Sequence, residues 1–371
     1  MIRSLVLNNF KCFDELRLSM SNLTLITGIN GAGKSSIIQA LLMLRQSNDD
    51  KVVDLHNQVR LDGDLIDLIS AEAVRCASTD ETDIKIELAN EKKEKVSFTI
   101  KNAITDQPVI DCEPSANFDE VVKNWSLFDK SFVYLYADRT APLKNYQKGI
   151  RSNTNSRLGD KHGNEAAFCF YEAISSGEKL RVDSFKLLKD DNTVFGNTSA
   201  WISQIMDSQI QLSAHLESME RVVLTYSRLV KGEEVISSPL NVAFGNSYIF
   251  PIVLAILTAP QDSLIVIENP EAHLHPAAQF KMGQFLALAA QNGIQIISET
   301  HSDHLLNGIR LSAKEGKLDA DKVEIHYIYQ DEENADIHLD ERIILQDDGS
   351  LNHWPKGFFD KWEQALRSLN S

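Results

Sequence analysis

Cysteine is scarce in this chain. Cys12, Cys76, Cys112 and Cys169 lie far apart and form no Cys-x-x-Cys pair, which argues against structural disulfides and for a reduced compartment. Long apolar runs are missing too: none reaches the roughly 20 residues of a membrane span. The opening stretch, MIRSLVLNNFKCFDELRLS, alternates like a strand and lacks a small-residue cleavage site, so a cytoplasmic, membrane-free protein is expected. There is no internal repeat and no low-complexity linker. Positive charge is also short, with 37 Lys and Arg against 53 Asp and Glu and a net charge of −16. A chain this acidic is a poor default binder of phosphate backbones. One stretch departs from the rule: residues 139–162 carry six Lys and Arg against a single Asp. That segment reads either as a solvated polar loop or as a local basic face for nucleic acid or an acidic partner.

What remains is the pattern of a large α/β protein. The 371 residues suffice for one large domain or two modest ones. Residues 2–9, 14–19 and 22–27 read as strands, and SSIIQALLMLRQS follows with helical spacing. Residues 83–101 alternate around a polar turn, as a hairpin does, and SFVYLYAD reads as a strand. From about 165 to 235 the pattern is mainly helical. SYIFPIVLAILTA then reads as a helix, SLIVIE as a buried strand, PAAQFKMGQFLALAAQNG as a helix closed by glycine, IQIISET as a second buried strand and SDHLLNGIRLSAKEG as a helix. KVEIHYIYQ and DERIILQ are two further strands. Strand and helix alternate at both ends of the chain around an insert, so a mostly parallel sheet is expected in the core. The expected division is residues 1–164, residues 165–240 as a helical insert, and residues 241–371.

GINGAGKSS fits the pattern G-x-x-x-x-G-K-[ST] at Gly28, Gly33, Lys34 and Ser35. A strand precedes it and a helix follows, which is the context the chemistry requires. Glycines permit a tight loop whose N–H groups point at phosphates, and the helix start adds a positive dipole end. Asn30, Gly31, Ala32, Gly33, Lys34, Ser35 and Ser36 are therefore expected around ATP. Lys34 is expected to reach the β and γ phosphates and Ser35 to ligate Mg²⁺.

The stretch SLVLNNFKCFDELRLSMSNLTLITGINGAGKSSIIQALLML resembles the N-terminal lobe of the RecF/SMC/OLD-like branch of ABC ATPases. That branch opens with a strand, an NF(K/R)xF turn, a second strand and the P-loop. The resemblance extends to ENPEAHLHP, ETHSDHLLNGIRL and WPKGFFDKWEQAL. The last two are similar to a stand-alone bacterial branch of AAA-family ATPases found in phage-defence operons. Both ends of the chain are covered; residues 75–235 match weakly. The resemblance implies a P-loop NTPase of ABC type, with a mixed, mostly parallel sheet, an N-terminal antiparallel β lobe and an inserted helical lobe.

By position, Asn9, Phe10 and Lys11 fall in the turn that borders the nucleotide, with Lys11 a candidate phosphate or ribose contact. Glu268 takes the place of the Walker B aspartate that holds Mg²⁺. Asn269 takes that of the catalytic glutamate. Leu274 and His275 fall on the D-loop, and His301 matches the switch histidine that meets the γ-phosphate. An amide orients water but cannot accept its proton, so general-base help is lost at Asn269. Glu271 and Glu299 are the candidate substitutes. His273, His275, His301 and His304 form H-x-H and H-x-x-H pairs with no cysteine near, a poor zinc set, and no metal beyond Mg²⁺ is expected.

An ABC site is completed in trans by a serine and glycines at a helix start. SSGEK, residues 175–179, has the letters but lies about ninety residues before Glu268. NVAFGNSYIFPIVLAIL lies directly before it, so Gly245, Asn246 and Ser247 are the candidate donors to the other subunit's γ-phosphate. The resemblance thus implies an ATPase, slow because of Asn269, working as an ATP-sandwiched homodimer. The length leaves no room for an SMC coiled coil, and the roughly seventy residues after His301 are too few for a TOPRIM nuclease. A separate effector protein is expected, with the chain as a sensor or regulatory subunit. The alternative is a RecF-like clamp on duplex DNA, which fits the size but not the charge. A transporter motor is disfavoured.

Overall fold

A strand buried on both faces must be largely apolar on both, and apolar runs such as SLIVIE show where the sheet lies. The computed structural model describes residues 1–49, 55–123, 125–147 and 157–358. β1 (Ile2–Phe10) and β2 (Phe13–Ser19) form a hairpin, β3 (Leu23–Gly28) runs into the glycine loop, and α1 (Lys34–Asp49) leaves it. The first lobe continues with β4 (Gln58–Arg60), α2 (Ala71–Val74), β5 (Ile84–Asn90), β6 (Lys95–Ile100), β7 (Val109–Pro114) and α3 (Phe118–Val122). β8 (Phe132–Leu135) returns to the core. The insert holds β9 (Tyr146–Gln147), α4 (Ala166–Ser176), α5 (Val194–Met206), β10 (Gln211–Ser218), β11 (Arg221–Val230) and β12 (Glu233–Ser237). The chain then runs through α6 (Phe244–Thr258), β13 (Leu264–Glu268), α7 (Pro276–Gln291), β14 (Gln295–Glu299), α8 (Asp303–Lys314), β15 (Val323–Gln330) and β16 (His338–Ile343).

The central sheet has the order β16-β15-β3-β14-β13-β8. Its pairs from β15 to β8 are parallel, and only β16 is antiparallel. Alternate residues feed two separate cores. Ile265, Ile267 and Ile296 join one; Leu264, Val266 and Ile297 join the other. Both faces are dry, as parallel sheets require. The N-terminal lobe is an antiparallel sheet of order β2-β1-β5-β6-β7-β4. The expected strands and helices at both chain ends are present, and the fold is the mixed α/β P-loop architecture that the sequence pattern indicated.

The insert differs from expectation. Only α4 and α5 are helical; residues 211–237 form an antiparallel β10-β11-β12 sheet, with β9 also pairing to β11. The helical reading overlooked a period of two: Val222, Leu224 and Tyr226 are buried and pack on the insert helices. SSGEK falls at the end of α4, where Gly177 takes a left-handed φ of 62° as its C-cap, so it forms a helix end and not a helix start.

α7 and α8 pack most closely. A Cβ at Gly283 would lie 2.1 Å from the Leu305 carbonyl oxygen, and one at Gly308 2.0 Å from that of Phe280. Two glycines thus let these backbones touch and carry β14 and the loop after it into place.

His326 ties the N-terminal hairpin to the central sheet. Its Nδ1 meets the Asp340 carboxylate at 2.9 Å, and its Nε2 meets the Ser19 carbonyl oxygen at 2.7 Å. Both nitrogens face acceptors, an arrangement that the protonated ring satisfies. Burial pulls the His326 pKa down, but the Asp340 hydrogen bond and charge outweigh it and hold it above the ordinary 6.5. A raised folded-state pKa gives stability that is complete below the unfolded value and lost as pH rises through the folded one. Urea unfolding of wild type and His326→Phe at about pH 6 and about pH 9 tests this; the wild-type advantage should shrink at the higher pH, and an advantage independent of pH refutes it.

Candidate functional site

The glycine loop is shaped by positions where side chains do not fit. Gly28, Gly31 and Gly33 have φ of 142°, 80° and 105°. A Cβ at Gly33 would also lie 2.4 Å from Cys12 Sγ, so the loop closes against the turn that follows β1. Lys34 folds back on the loop, its Nζ donating to the carbonyls of Gly28 at 3.1 Å and Ile29 at 2.8 Å. Burial lowers its pKa, and Glu299 opposes that shift. A cavity of about 600 Å³ opens here, lined by Asn30, Gly31, Gly33, Lys34, Ser35 and Ser36 together with Lys11, Glu299 and His301. Ala32 is buried; its carbonyl meets His338 Nδ1 of β16 at 2.7 Å. In the preceding turn, Asn9 and Phe10 are buried, whereas Lys11 and Cys12 line the cavity. Asn9 donates from Nδ2 to the Glu81 and Asp83 carbonyls and accepts from the Cys76 N–H, so it is a structural latch.

Three carboxylates gather at the carboxyl ends of β13 and β14, each with a different partner. Glu299 Oε2 accepts from Ser35 Oγ at 3.0 Å, and Glu299 Oε1 lies 4.0 Å from Lys34 Nζ and 3.8 Å from His301 Nε2. Burial raises its pKa, and Lys34 and Ser35 counter part of the rise. Glu268 accepts from the Tyr134 hydroxyl at 2.7 Å; burial pushes its carboxyl up to about 7. Glu271 accepts from Thr300 Oγ1 at 2.8 Å and from the His301 N–H at 2.7 Å. Both Glu271 oxygens thus hold the loop that carries His301. The His301 pKa is lowered by burial and by Lys34.

Asn269 stands at φ 45°, an uncommon left-handed position for a non-glycine residue. Its N–H donates to the Glu299 carbonyl at 2.9 Å, and its side-chain Oδ1 is buried without a partner. Further along, Leu274 is buried and His275 caps α7, its Nδ1 accepting from the Ala277 N–H. The outward donors expected at the start of α6 are not outward. Gly245, Asn246 and Ser247 are buried, with Gly245 against the His273 carbonyl and Leu274. The outermost side chain there is Phe244, 41% exposed, with its ring 4.6 Å from that of His273.

The oxygen chemistry suits Mg²⁺, which keeps water and substrate phosphates and takes one or two carboxylates from the protein. Ser35 and Glu299 are in contact with each other, and the Glu299 charge adds to burial in raising the Glu268 pKa. Among the described residues no group of three or more His, Cys, Asp or Glu is placed to hold a metal ion. None of the described helices is long and apolar enough to cross a membrane.

A family profile described as "AAA domain, putative AbiEii toxin, Type IV TA system" matches residues 23–307. The chain belongs to this AAA-domain family. A second profile, "Protein of unknown function (DUF3696)", matches residues 318–369. No curated protein matches the chain. Among solved structures it is similar to an SmcHead bound to the C-winged helix domain of ScpA, at 13% identity and TM-score 0.56 over 93% of this chain and 98% of that one. It is also similar to an Smc head domain with an extended coiled coil, bound to the C-terminal domain of ScpA derived from Pyrococcus furiosus. That match has 11% identity and TM-score 0.55 over 100% and 99%. At these identities the likeness is one of fold. The chain thus carries an AAA domain in the fold that SMC heads share, and its P-loop ATPase family supports nucleotide binding and hydrolysis in general.

Sequence reasoning missed two residues of this AAA-domain site. Tyr134 sat inside a stretch read only as a strand; the β8–β13 pairing sets it beside Val266 and within reach of Glu268. Arg139 was counted in the basic segment 139–162, of which residues 148–156 lie outside the described residues. It is 2% exposed. Its guanidinium donates to the carbonyls of Tyr136 at 3.0 Å, Glu268 at 2.7 Å and Asn269 at 2.7 Å, and lies over the Tyr248 ring at 4.4 Å. Burial lowers its pKa to about 10, still protonated at neutral pH. Arg139→Met would strand those buried carbonyls and should cost about 3 kcal/mol or more in urea unfolding. A change under about 1 kcal/mol would show the fork to be dispensable.

Proposed function

We propose that this ATPase binds Mg²⁺ and ATP at the P-loop cavity and hydrolyses the ATP slowly, as a switch. The observation that carries the reading is Asn269, whose unpartnered Oδ1 stands where a catalytic carboxylate belongs. Lys34 and the loop N–H groups grip the β and γ phosphates; Ser35 with Glu268 would hold Mg²⁺, which would supply charge neutralisation on the phosphates. Asn269 orients the attacking water without taking its proton. Among the described residues Glu299 is the one carboxylate in contact with the P-loop, so it is the residual base. His301, held by Glu271, contacts the γ-phosphate.

The chain has one P-loop and one signature-like helix, so complete sites need two copies, sandwiching ATP as a homodimer. With Gly245 and Ser247 buried, the surface offered at α6 is Phe244 with His273 and the helix-start N–H groups. The dimer is a sensor or regulatory subunit for a separate effector protein, in bacterial anti-phage defence. Support for that role is the sequence resemblance.

ATP and Mg²⁺ should therefore double the mass of wild type in light scattering and leave Lys34→Ala unchanged; an identical mass in every sample overturns the ATP-driven dimer. Turnover should lie far below the usual ~1–100 s⁻¹ of phosphoryl-transfer enzymes. A general base contributes about 10²–10⁴-fold, so Asn269→Glu should speed hydrolysis, whereas Glu299→Gln should abolish what remains while ATP still binds. A fast wild-type rate that neither substitution alters would sink the assignment.

A further inference from the structure

The insert sheet has two outer edges, and they are built differently. β10 carries a bulge-like register shift between Leu216 and Ser218, a device that blunts an edge against further pairing. β12 pairs with β11 without a break, from Tyr226 with Ser237 to Val230 with Glu233. Among the described residues no strand pairs with its far side. β12 has no bulge, proline or lysine, the features that usually protect an open edge.

The turn between β11 and β12 is tight. Lys231 and Gly232 have φ of 52° and 85°, two positive values of the kind that suits the twist of a hairpin. β10 stops pairing at Gln211 with Ser227, so Arg228, Leu229 and Val230 continue with β12 as a two-stranded ribbon. Glu233, Glu234, Val235 and Ile236 are all exposed. Leu229 is 74% exposed and Ile236 66%. Leu229 pairs with Glu234 and Ser227 with Ile236, so the two apolar side chains are diagonal neighbours on one face. A two-stranded ribbon that shows apolar side chains to water is marginal by itself, and a further strand beside β12 would cover them.

Residues directly opposite each other share a face of a sheet. A strand that meets its own copy antiparallel is therefore centred on a single residue. Centred on Glu234, the pairing sets acid against acid. Centred on Ile236, it sets Glu233 against Pro239, which has no N–H and opens a 3-10 turn. Centred on Val235, it uses all five residues of β12: Val235 meets Val235, Glu234 meets Ile236 and Glu233 meets Ser237. No acid then opposes an acid, so the strand is complementary in charge to its own copy.

We propose that β12 is the edge along which two copies of this chain join, antiparallel and centred on Val235, so that the two insert sheets become one. The contact is isologous, with its two-fold axis through Val235. The Ile236 side chains of the two copies lie diagonally across that axis, each beside the other copy's Glu234. The pairing uses no group of the P-loop or of α6, so it needs no nucleotide, and ATP-driven doubling of mass counts from this dimer.

Light scattering over a concentration series without nucleotide is the test. Wild type and Lys34→Ala should both have the mass of two chains. Ile236→Glu sets an acid opposite each Glu234 and should weaken the dimer about tenfold or more. Ile236→Lys sets a cation there and should keep the dimer. Adding Glu234→Lys to Ile236→Glu exchanges the two charges and should restore it. Val235→Glu brings two acids together on the axis and should give monomers, while Arg228, its neighbour on β11, supports the hairpin within each chain. A monomeric wild type overturns the self-pairing and leaves the edge to a strand of another protein. A dimer that Ile236→Glu and Ile236→Lys weaken equally, or leave untouched, overturns it as well. Circular dichroism and thermal unfolding of each variant check that the insert is folded.

Discussion

Burying three carboxylates at one edge of a parallel sheet demands three separate sets of donors, and the rest of the site is arranged to supply them. Glu268 receives a phenol from β8, Glu271 the hydroxyl and N–H of the loop after β14, and Glu299 the P-loop serine with a lysine nearby. A buried carboxylate without such partners would neutralise itself by protonation. The donors come from three different stretches of chain, so satisfying the acids also locks strand ends, P-loop and the loop after β14 into one unit.

The second constraint is the parallel sheet itself. β3, β14 and β13 are neighbours and run in one direction, so their carboxyl ends reach the same edge. Dry cores on both faces hold them there, and the glycine contact between α7 and α8 sets how closely the covering helices sit. Arg139 acts on the same edge from the other side. Its planar fork bonds carbonyls of Glu268 and Asn269 and its face covers Tyr248 of α6, joining the end of β13 to the helix that precedes it.

Much of this was legible in the sequence. The glycine spacing located the loop, because only glycine tolerates its positive φ values and its contact with Cys12. The apolar runs SLIVIE and IQIISET were read as strands because nothing but a two-faced core makes such runs. The insert was read less well: QLSAHLES and RVVLTYSRLV alternate with period two, but their polar outer faces and the preceding helix gave a helical impression. Gly245 and Ser247 had the letters of outward donors. Their burial is set by packing against Leu274 and the His273 carbonyl, which no local pattern records.

The sequence by itself determined the family, the phosphate loop and the identity of the residue at the end of β13, since these depend on local backbone permissions and on short spacings along one chain. Only the tertiary structure decided which acid serves which purpose. Glu268, Glu271 and Glu299 are chemically near-equivalent, and what separates them is the donor each one meets: Tyr134, the switch loop or Ser35. The same holds for Arg139. It reads as one cation of a basic segment, yet it is spent on buried carbonyls, because strand pairing and long-range contacts, not spacing, determine what a side chain touches.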